Sequence, residues 1–471
     1  MPHVRAGQLA AGSVKRPADS QRWILRASHS GNLLGRTQAP LCPVRAGRQR
    51  GQAGAPQDAN RRKRILCQRA RGYRRCDARP SPDNAAAVAR LSSDGAHAHP
   101  GGTRERKSTL ATASPLKSYE RSVGSEEGTV MLKTELCERL GIEHPILSAG
   151  FGPGAGPDVV AAVSNAGGCG VLGASGFSVP YLRELIGRAR ALTTKPFGVN
   201  LILEDIAEGP IEACLDAGVP LLVFFWGDPT PYVGPAHAHG VKVAIQVGSV
   251  DEARASAAAG VDFVIAQGFE AGGHVRGTTA LSVLLPAVVD AVTAIPVLAS
   301  GGVADGRGLV AALSLGAQGV SMGTRFVASE EAFVPHLYKE RIVSGVAEDT
   351  IYVEDLFNVG WEKAPHRVLR NAIVREWEAA GKPPVGQRPG EGTTVGSRTR
   401  AGQTMAITKY ASLTPTPEYT SDLEYLPFWA GQTCSLIRDI KPAGQIVRDI
   451  VREAEQVIDR LARIRTAPQP A

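Results

Sequence analysis

Phe263-Val264-Ile265-Ala266-Gln267-Gly268-Phe269-Glu270-Ala271-Gly272-Gly273-His274-Val275-Arg276-Gly277 passes from an apolar run straight into a glycine-rich one. The run ends at Gln267-Gly268, the pattern of a buried strand emptying into a loop. Glycine carries no Cβ, so such a loop can bring bare backbone up to a flat or charged ligand. His274, just past Gly272-Gly273, is the one side chain there that can move a proton near neutral pH. A plain turn with a surface histidine shares this local pattern, so the surrounding chain has to decide between them.

On both sides of this stretch a rhythm repeats from Met131 onward. Seven more apolar runs read as strands: Pro145–Ala149, Gly170–Ala174, Phe197–Leu201, Leu221–Trp226, Lys242–Gln246, Pro296–Ser300 and Gly319–Gly323. Between them lie helical segments such as Asp158–Ala166, Tyr181–Ala191, Val250–Ala259, Leu281–Thr293 and Gly306–Leu315. Several of these segments end in Ala-Gly, and glycine takes the left-handed position after a helix at little cost. Strands that are apolar throughout suit a parallel sheet covered on both faces. Eight such units predict an α/β fold, a closed (β/α)8 TIM barrel over 131–335, with an open doubly wound sheet as the alternative. Residues 336–404 break the rhythm and read as a small inserted subdomain, with a helix over His366–Trp377 and a Gly- and Pro-rich stretch over Lys382–Thr394. Residues 405–471 read as a C-terminal segment whose amphipathic helix, Ala443–Arg463, packs back on the barrel.

The charge is unevenly spread. The total of +8 is made of +15 in residues 1–130 (24 Lys+Arg, 9 Asp+Glu) and −7 in the remainder (29 and 36). A basic pI therefore gives no reason to expect nucleic-acid binding by the folded part. Residues 1–130 contain Arg61-Arg62-Lys63-Arg64 and no sustained apolar period. They read as a disordered basic extension, as a transit peptide, or as sequence upstream of a true start at Met131. Seven scattered cysteines without a C-x-x-C pair predict neither a disulfide framework nor a zinc site, and a reducing, cytoplasmic setting. No run is long enough for a membrane helix. Oligomeric state is left open.

In a barrel of this kind the chemistry sits at the C-terminal ends of the strands. Asn200, Gln246 and Gln267 end strands three, five and six; their amides suit the edge of a heterocycle, or simply satisfy backbone at the barrel rim. Backbone N–H groups of Gly301, Gly302, Gly323 and Thr324, after strands seven and eight, can face a phosphate, helped by the helix beginning near Asp305. His237 and His239 read as solvent-facing, and His336 and His366 as part of the insertion. Without acidic or cysteine partners at ligand spacing none of them predicts a metal. Asp228 reads as a turn residue, and Glu270 either orients His274 or caps a helix.

Taken together these residues resemble the nitronate monooxygenase family, long called 2-nitropropane dioxygenases. The resemblance spans about Met131 to Arg463. It is strongest in Ala266–His274, Ala299–Val303, Met322–Phe326 and Ala430-Gly431-Gln432. It implies an FMN-binding barrel in which Asn200, Gln246, Gln267, Gly272, Gly302, Gly323 and Thr324 contact FMN and His274 is the catalytic base. Many members carry Ala-Pro-Met after the first strand, where this chain has Ala149-Gly150-Phe151. The implied reaction takes a nitronate, or a nitroalkane deprotonated by His274, with dioxygen to a carbonyl compound and nitrite. FMN-dependent enoyl-acyl-carrier-protein reductases share the Gly-Gly-His loop and imply NADH or NADPH as reductant instead. A flavin-binding protein without turnover is a third reading.

Overall fold

The computed structural model describes residues 132–204, 206–400 and 402–466. The readings made for residues 1–130, and for a start at Met131, fall outside these. The described chain opens with α1 (Glu135–Leu140), β1 (Ile146–Ser148), α2 (Pro157–Asn165), β2 (Gly170–Gly173), α3 (Val179–Leu192) and β3 (Phe197–Ile202). It continues with α4 (Pro210–Asp216), β4 (Leu221–Phe225), α5 (Thr230–Ala238), β5 (Lys242–Val247), α6 (Val250–Ala258) and β6 (Phe263–Gln267). A two-residue strand, β7 (Gly273–His274), precedes α7 (Leu281–Ala291), β8 (Val297–Ser300), α8 (Gly306–Ser314), β9 (Gly319–Met322) and the single turn α9 (Thr324–Val327).

Eight strands form one parallel sheet in the order β1-β9-β8-β6-β5-β4-β3-β2. A parallel bridge between Leu147 and Cys169, just ahead of β2, joins its two ends, and the Ser148 N–H donates to Cys169 O at 3.1 Å. The sheet thus closes as a TIM barrel, with every barrel strand at a position predicted from the apolar runs. β4, β6, β8 and β9 are buried along their whole length, as helices outside and packed side chains inside require.

After α9 the chain leaves the barrel. It forms α10 (His336–Ser344), β10 (Thr350–Val353), β11 (His366–Leu369), α11 (Ala372–Ala379), β12 (Thr394–Arg400), β13 (Gln403–Thr408) and β14 (Tyr419–Ser421), and then returns as α12 (Ala443–Thr466). Positions 404 and 405 lie within the single strand β13. The helix expected over His366–Trp377 is instead a strand followed by a helix. Asn371 separates them, its side chain accepting the Val374 N–H at 3.1 Å as a helix cap. Ahead of that cap, His366–Leu369 pairs antiparallel with β10 on one side, and His366-Arg367 with β7 on the other.

A (β/α)8 barrel needs a helix after its last strand, and one turn of α9 cannot cover it. α12 takes that place, packing between α8 and α2. Its buried positions Ala443, Ile446, Val447, Ile450, Val451 and Ala454 follow the helical period. Gly306 lets α8 approach closely, since a Cβ there would lie 2.4 Å from Ala454 N and 2.6 Å from Ile450 O. Among the described residues no helix is long and apolar enough to cross a membrane.

Candidate functional site

A cavity of about 400 Å³ lies at the C-terminal ends of the barrel strands, within the ~300–1,000 Å³ range of small-molecule sites. Asn200, Gln246, Gln267, Gly272, His274, Gly301, Gly323 and Thr324 all line it. Gly302 is exposed beside it, between Gly301 and Val303, which do line it. The amides divide in their work. The Gln267 amide braces the loop, donating to His274 O at 2.8 Å and accepting from Arg276 N–H at 3.0 Å. Asn200 donates to Val223 O at 2.9 Å. Gln246 has no protein hydrogen bond on its side chain among the described residues, so its amide is available to a ligand.

The loops after β8 and β9 present backbone donors. Among the described residues the N–H groups of Gly301, Gly302, Val303, Gly323 and Thr324 have no protein acceptor. Unpaired donors converging at one rim fit an anion such as a phosphate. The left-handed backbone of Gly301 (φ 81°) and Gly302 (φ 72°) makes this turn possible. The helix expected to help does not. Asp305 caps α8 by accepting the Gly308 N–H at 2.9 Å, and Glu453 accepts the Gly306 N–H at 2.8 Å. Two carboxylates already answer the positive end of α8. Arg325 turns away as well, its buried guanidinium bonding Asp439 Oδ1 at 3.0 Å and Asp439 O at 2.9 Å.

His274 sits in an aromatic box. Its ring centroid is 4.0 Å from Trp361, 5.2 Å from Trp429, 5.8 Å from His366 and 6.3 Å from Trp226. Nδ1 lies 3.2 Å from Ala364 O, and Nε2 lies 3.3 Å from Ser412 Oγ. A carbonyl only accepts, so Nδ1 carries the proton and Nε2 a lone pair. His274 lines the cavity and is half-buried. Burial, and next the neighbouring His366, push its pKa down to about 3. Burial likewise lowers His366 to about 4. His274 is therefore neutral at physiological pH and only weakly basic.

Among the described residues no Asp, Glu or Lys lines the cavity, and the permanent charges that do are Arg398 and Arg400. Arg400 is answered by Glu418, from Nε to Oε2 at 2.9 Å, and lies over the rings of Phe177 and Tyr181. Arg398 has no carboxylate partner among the described residues and reaches Met405 Sδ at 3.6 Å. The cavity wall thus carries one uncompensated positive charge.

The remaining candidates fall outside the cavity. Glu270 caps a helix, accepting the Leu281 N–H at 3.0 Å. Asp228 accepts from Thr230 in a turn. His237 pairs with Asp262, and exposed His336 with Glu340. Trp226, Trp361, Trp429, Ala364, Ser412 and Arg398 were not foreseen. The only local signal among them was Trp429, which adjoins Ala430-Gly431-Gln432. Backbone of that segment touches the loop: a Cβ on Gly272 would lie 2.2 Å from Gly431 N.

The nitronate monooxygenase family model matches residues 133–213 and 205–453. The chain belongs to the nitronate monooxygenase family. As a member of that family it is an oxidoreductase, and its relatives span more than one named activity. It is 39% identical over 254 residues to the (3aS,4S,5R,7aS)-5-hydroxy-7a-methyl-1-oxo-octahydro-1H-indene-4-carboxyl-CoA dehydrogenase of Mycobacterium tuberculosis, covering 53% of this chain and 70% of that one. It is 37% identical to FabK of Thermotoga maritima, covering 70% of this chain and 98% of that one, with a TM-score of 0.59. It is 25% identical to the nitroalkane oxidase of Streptomyces ansochromogenes, covering 69% and 99%, with a TM-score of 0.55.

Proposed function

We propose that this nitronate monooxygenase family member is an FMN-dependent enzyme whose substrate arrives as an anion, a nitronate, and leaves as a carbonyl compound and nitrite with dioxygen consumed. The observation that carries this reading is the charge of the cavity: among the described lining residues Arg398 is a cation without a carboxylate partner, and no Asp or Glu is present; the lowered pKa of His274 adds no charge to it. A general base works best with a pKa near the working pH. A base near 3 draws a proton poorly from the weakly acidic C–H of a neutral nitroalkane. A nitronate has already lost that proton and needs no base. His274 then serves as a neutral wall of the cavity, its two ring nitrogens held by Ala364 and Ser412, and its role as base is confined to the most acidic nitroalkanes.

FMN is supported by the five unpaired N–H groups of the loops after β8 and β9, which suit its phosphate, and by the free amide of Gln246, which suits the edge of its ring. When bound, FMN supplies the electron-accepting centre for the oxidation. The aromatic box of Trp361 and Trp429 keeps bulk water from the histidine side.

A second reading is reduction of an unsaturated acyl thioester by NADH or NADPH. It is favoured by the higher identity to FabK, an enoyl-acyl-carrier-protein reductase, and to the CoA dehydrogenase than to the nitroalkane oxidase. Steady-state turnover separates the two. Nitrite release from propyl-2-nitronate, faster than from 2-nitropropane at equal concentration, is the expected result. NADH consumption with crotonyl-CoA and no nitrite from either nitro compound replaces the first reading by the second.

A further inference from the structure

His274 is held at both ring nitrogens, and both holds come from the segment between α9 and α12. Ala364 O takes the Nδ1 proton at 3.2 Å, and Ser412 Oγ meets Nε2 at 3.3 Å. Ala364 O is itself fixed, since it also accepts from His366 Nδ1 at 2.9 Å, and His366 Nε2 accepts the Phe357 N–H at 3.2 Å. The Ser412 N–H donates to Val359 O at 2.8 Å, next to a bridge between Val359 and Ala411. The two holds are thereby tied to each other as well as to the ring. The backbone adds a third constraint, because His274 pairs in register with His366 across β7 and β11.

With Nδ1 committed to a carbonyl, Nε2 offers only a lone pair, so the Ser412 hydroxyl is the donor. A donor on that lone pair favours the neutral imidazole over the imidazolium. We propose that Ser412 is a positioning residue which, opposite Ala364, locks His274 as the Nδ1–H tautomer and sets the plane of its ring at the cavity wall. Ser412 also lines the cavity, so its oxygen lone pairs remain available to a ligand on the far side of the Nε2 contact. The importance of this lock for turnover rests on the reading of His274 as a residue that works on substrate; the lock itself does not.

The full-length chain labelled with 15N-histidine tests it by NMR, with His274→Gln assigning the resonance. The wild type is expected to show His274 with a proton on Nδ1 and none on Nε2. Ser412→Ala should shift part of the population to the Nε2–H form, and Ser412→Thr, which keeps the hydroxyl, should restore it. Turnover of propyl-2-nitronate by Ser412→Ala should fall about tenfold in kcat with KM within about twofold, the loss of one hydrogen bond's worth of orientation. An Nε2–H signal in the wild type, or an Ala variant with an unchanged tautomer, overturns the proposal. The NMR result stands whether or not the nitronate reading holds, so the two can fail separately.

Discussion

Gly272→Ala puts a methyl group where the loop carrying His274 meets the terminal Ala430-Gly431. The added Cβ would lie 2.2 Å from Gly431 N, 2.3 Å from Ala430 C and 2.7 Å from Ala430 Cα. Relaxed carbon contacts are about 3.5–4.0 Å, so the two segments must part by roughly 1 Å or more. Overpacking costs about 1–3 kcal/mol where side chains can give way. Here all three atoms are backbone, so the upper end, about 3 kcal/mol, is expected. A shift of about 1 Å at a reacting group also costs on the order of a hundredfold in rate. Gly273→Ala is the matched control. Nothing lies within 4 Å of its Cβ, but its φ is +70°, so only the left-handed strain of about 1–2 kcal/mol applies. Denaturant unfolding of both full-length variants, with nitronate turnover alongside, reads the difference. A Gly272→Ala variant no less stable than Gly273→Ala would refute the argument that this glycine exists for close backbone approach.

Three further outcomes are expected. Gly323→Asp, at a φ of −94° with only Ala149 Cβ (3.8 Å) near the new carbon, should fold normally yet retain much less flavin, read from the visible spectrum, because its carboxylate faces the phosphate donors; full occupancy would contradict that placement. Arg398→Gln should raise KM for an anionic substrate about tenfold or more by removing a charged partner, with little change for a neutral one; an equal change for both would remove Arg398 from recognition. Acid stability should follow His274 and His366, whose pKa values are both lowered. Their folded pKa values, about 3 and about 4, lie below the ordinary 6.5, so as pH falls from about 6.5 the unfolded chain binds protons first. Stability is then lost at up to about 1.4 kcal/mol per pH unit per group. His274→Gln should flatten that dependence in denaturant titrations between pH 4 and pH 6.5, and an unchanged slope would contradict a neutral His274.

The barrel was legible because most of its strands are short, largely apolar runs, several of them followed by glycine, and the helices between them repeat their apolar positions. The loops with unpaired backbone donors were legible for a related reason: Gly301, Gly302 and Gly323 stand directly after such runs. What was not legible depends on contacts distant in sequence. Asp305 and Glu453 are 148 residues apart, and nothing near Asp305 reveals that two carboxylates meet at the start of α8. Ala364 and Ser412 meet His274 from 90 and 138 residues away in the chain. The misread helix over His366–Trp377 had a visible warning in Asn371, a strong capping residue placed inside the supposed helix. Glu270 was left between two roles, and the hydrogen bond to Leu281 N–H decides for the cap.

On the proposed function a nitronate, and not a pyridine nucleotide, exchanges electrons with the flavin. The most direct measurement is anaerobic mixing of the purified full-length protein with propyl-2-nitronate and, separately, with NADH, following the visible spectrum. The flavin spectrum should be bleached rapidly by the nitronate and left unchanged by NADH. Rapid bleaching by NADH with none by the nitronate would contradict the proposed function and make the enoyl thioester reading the working one.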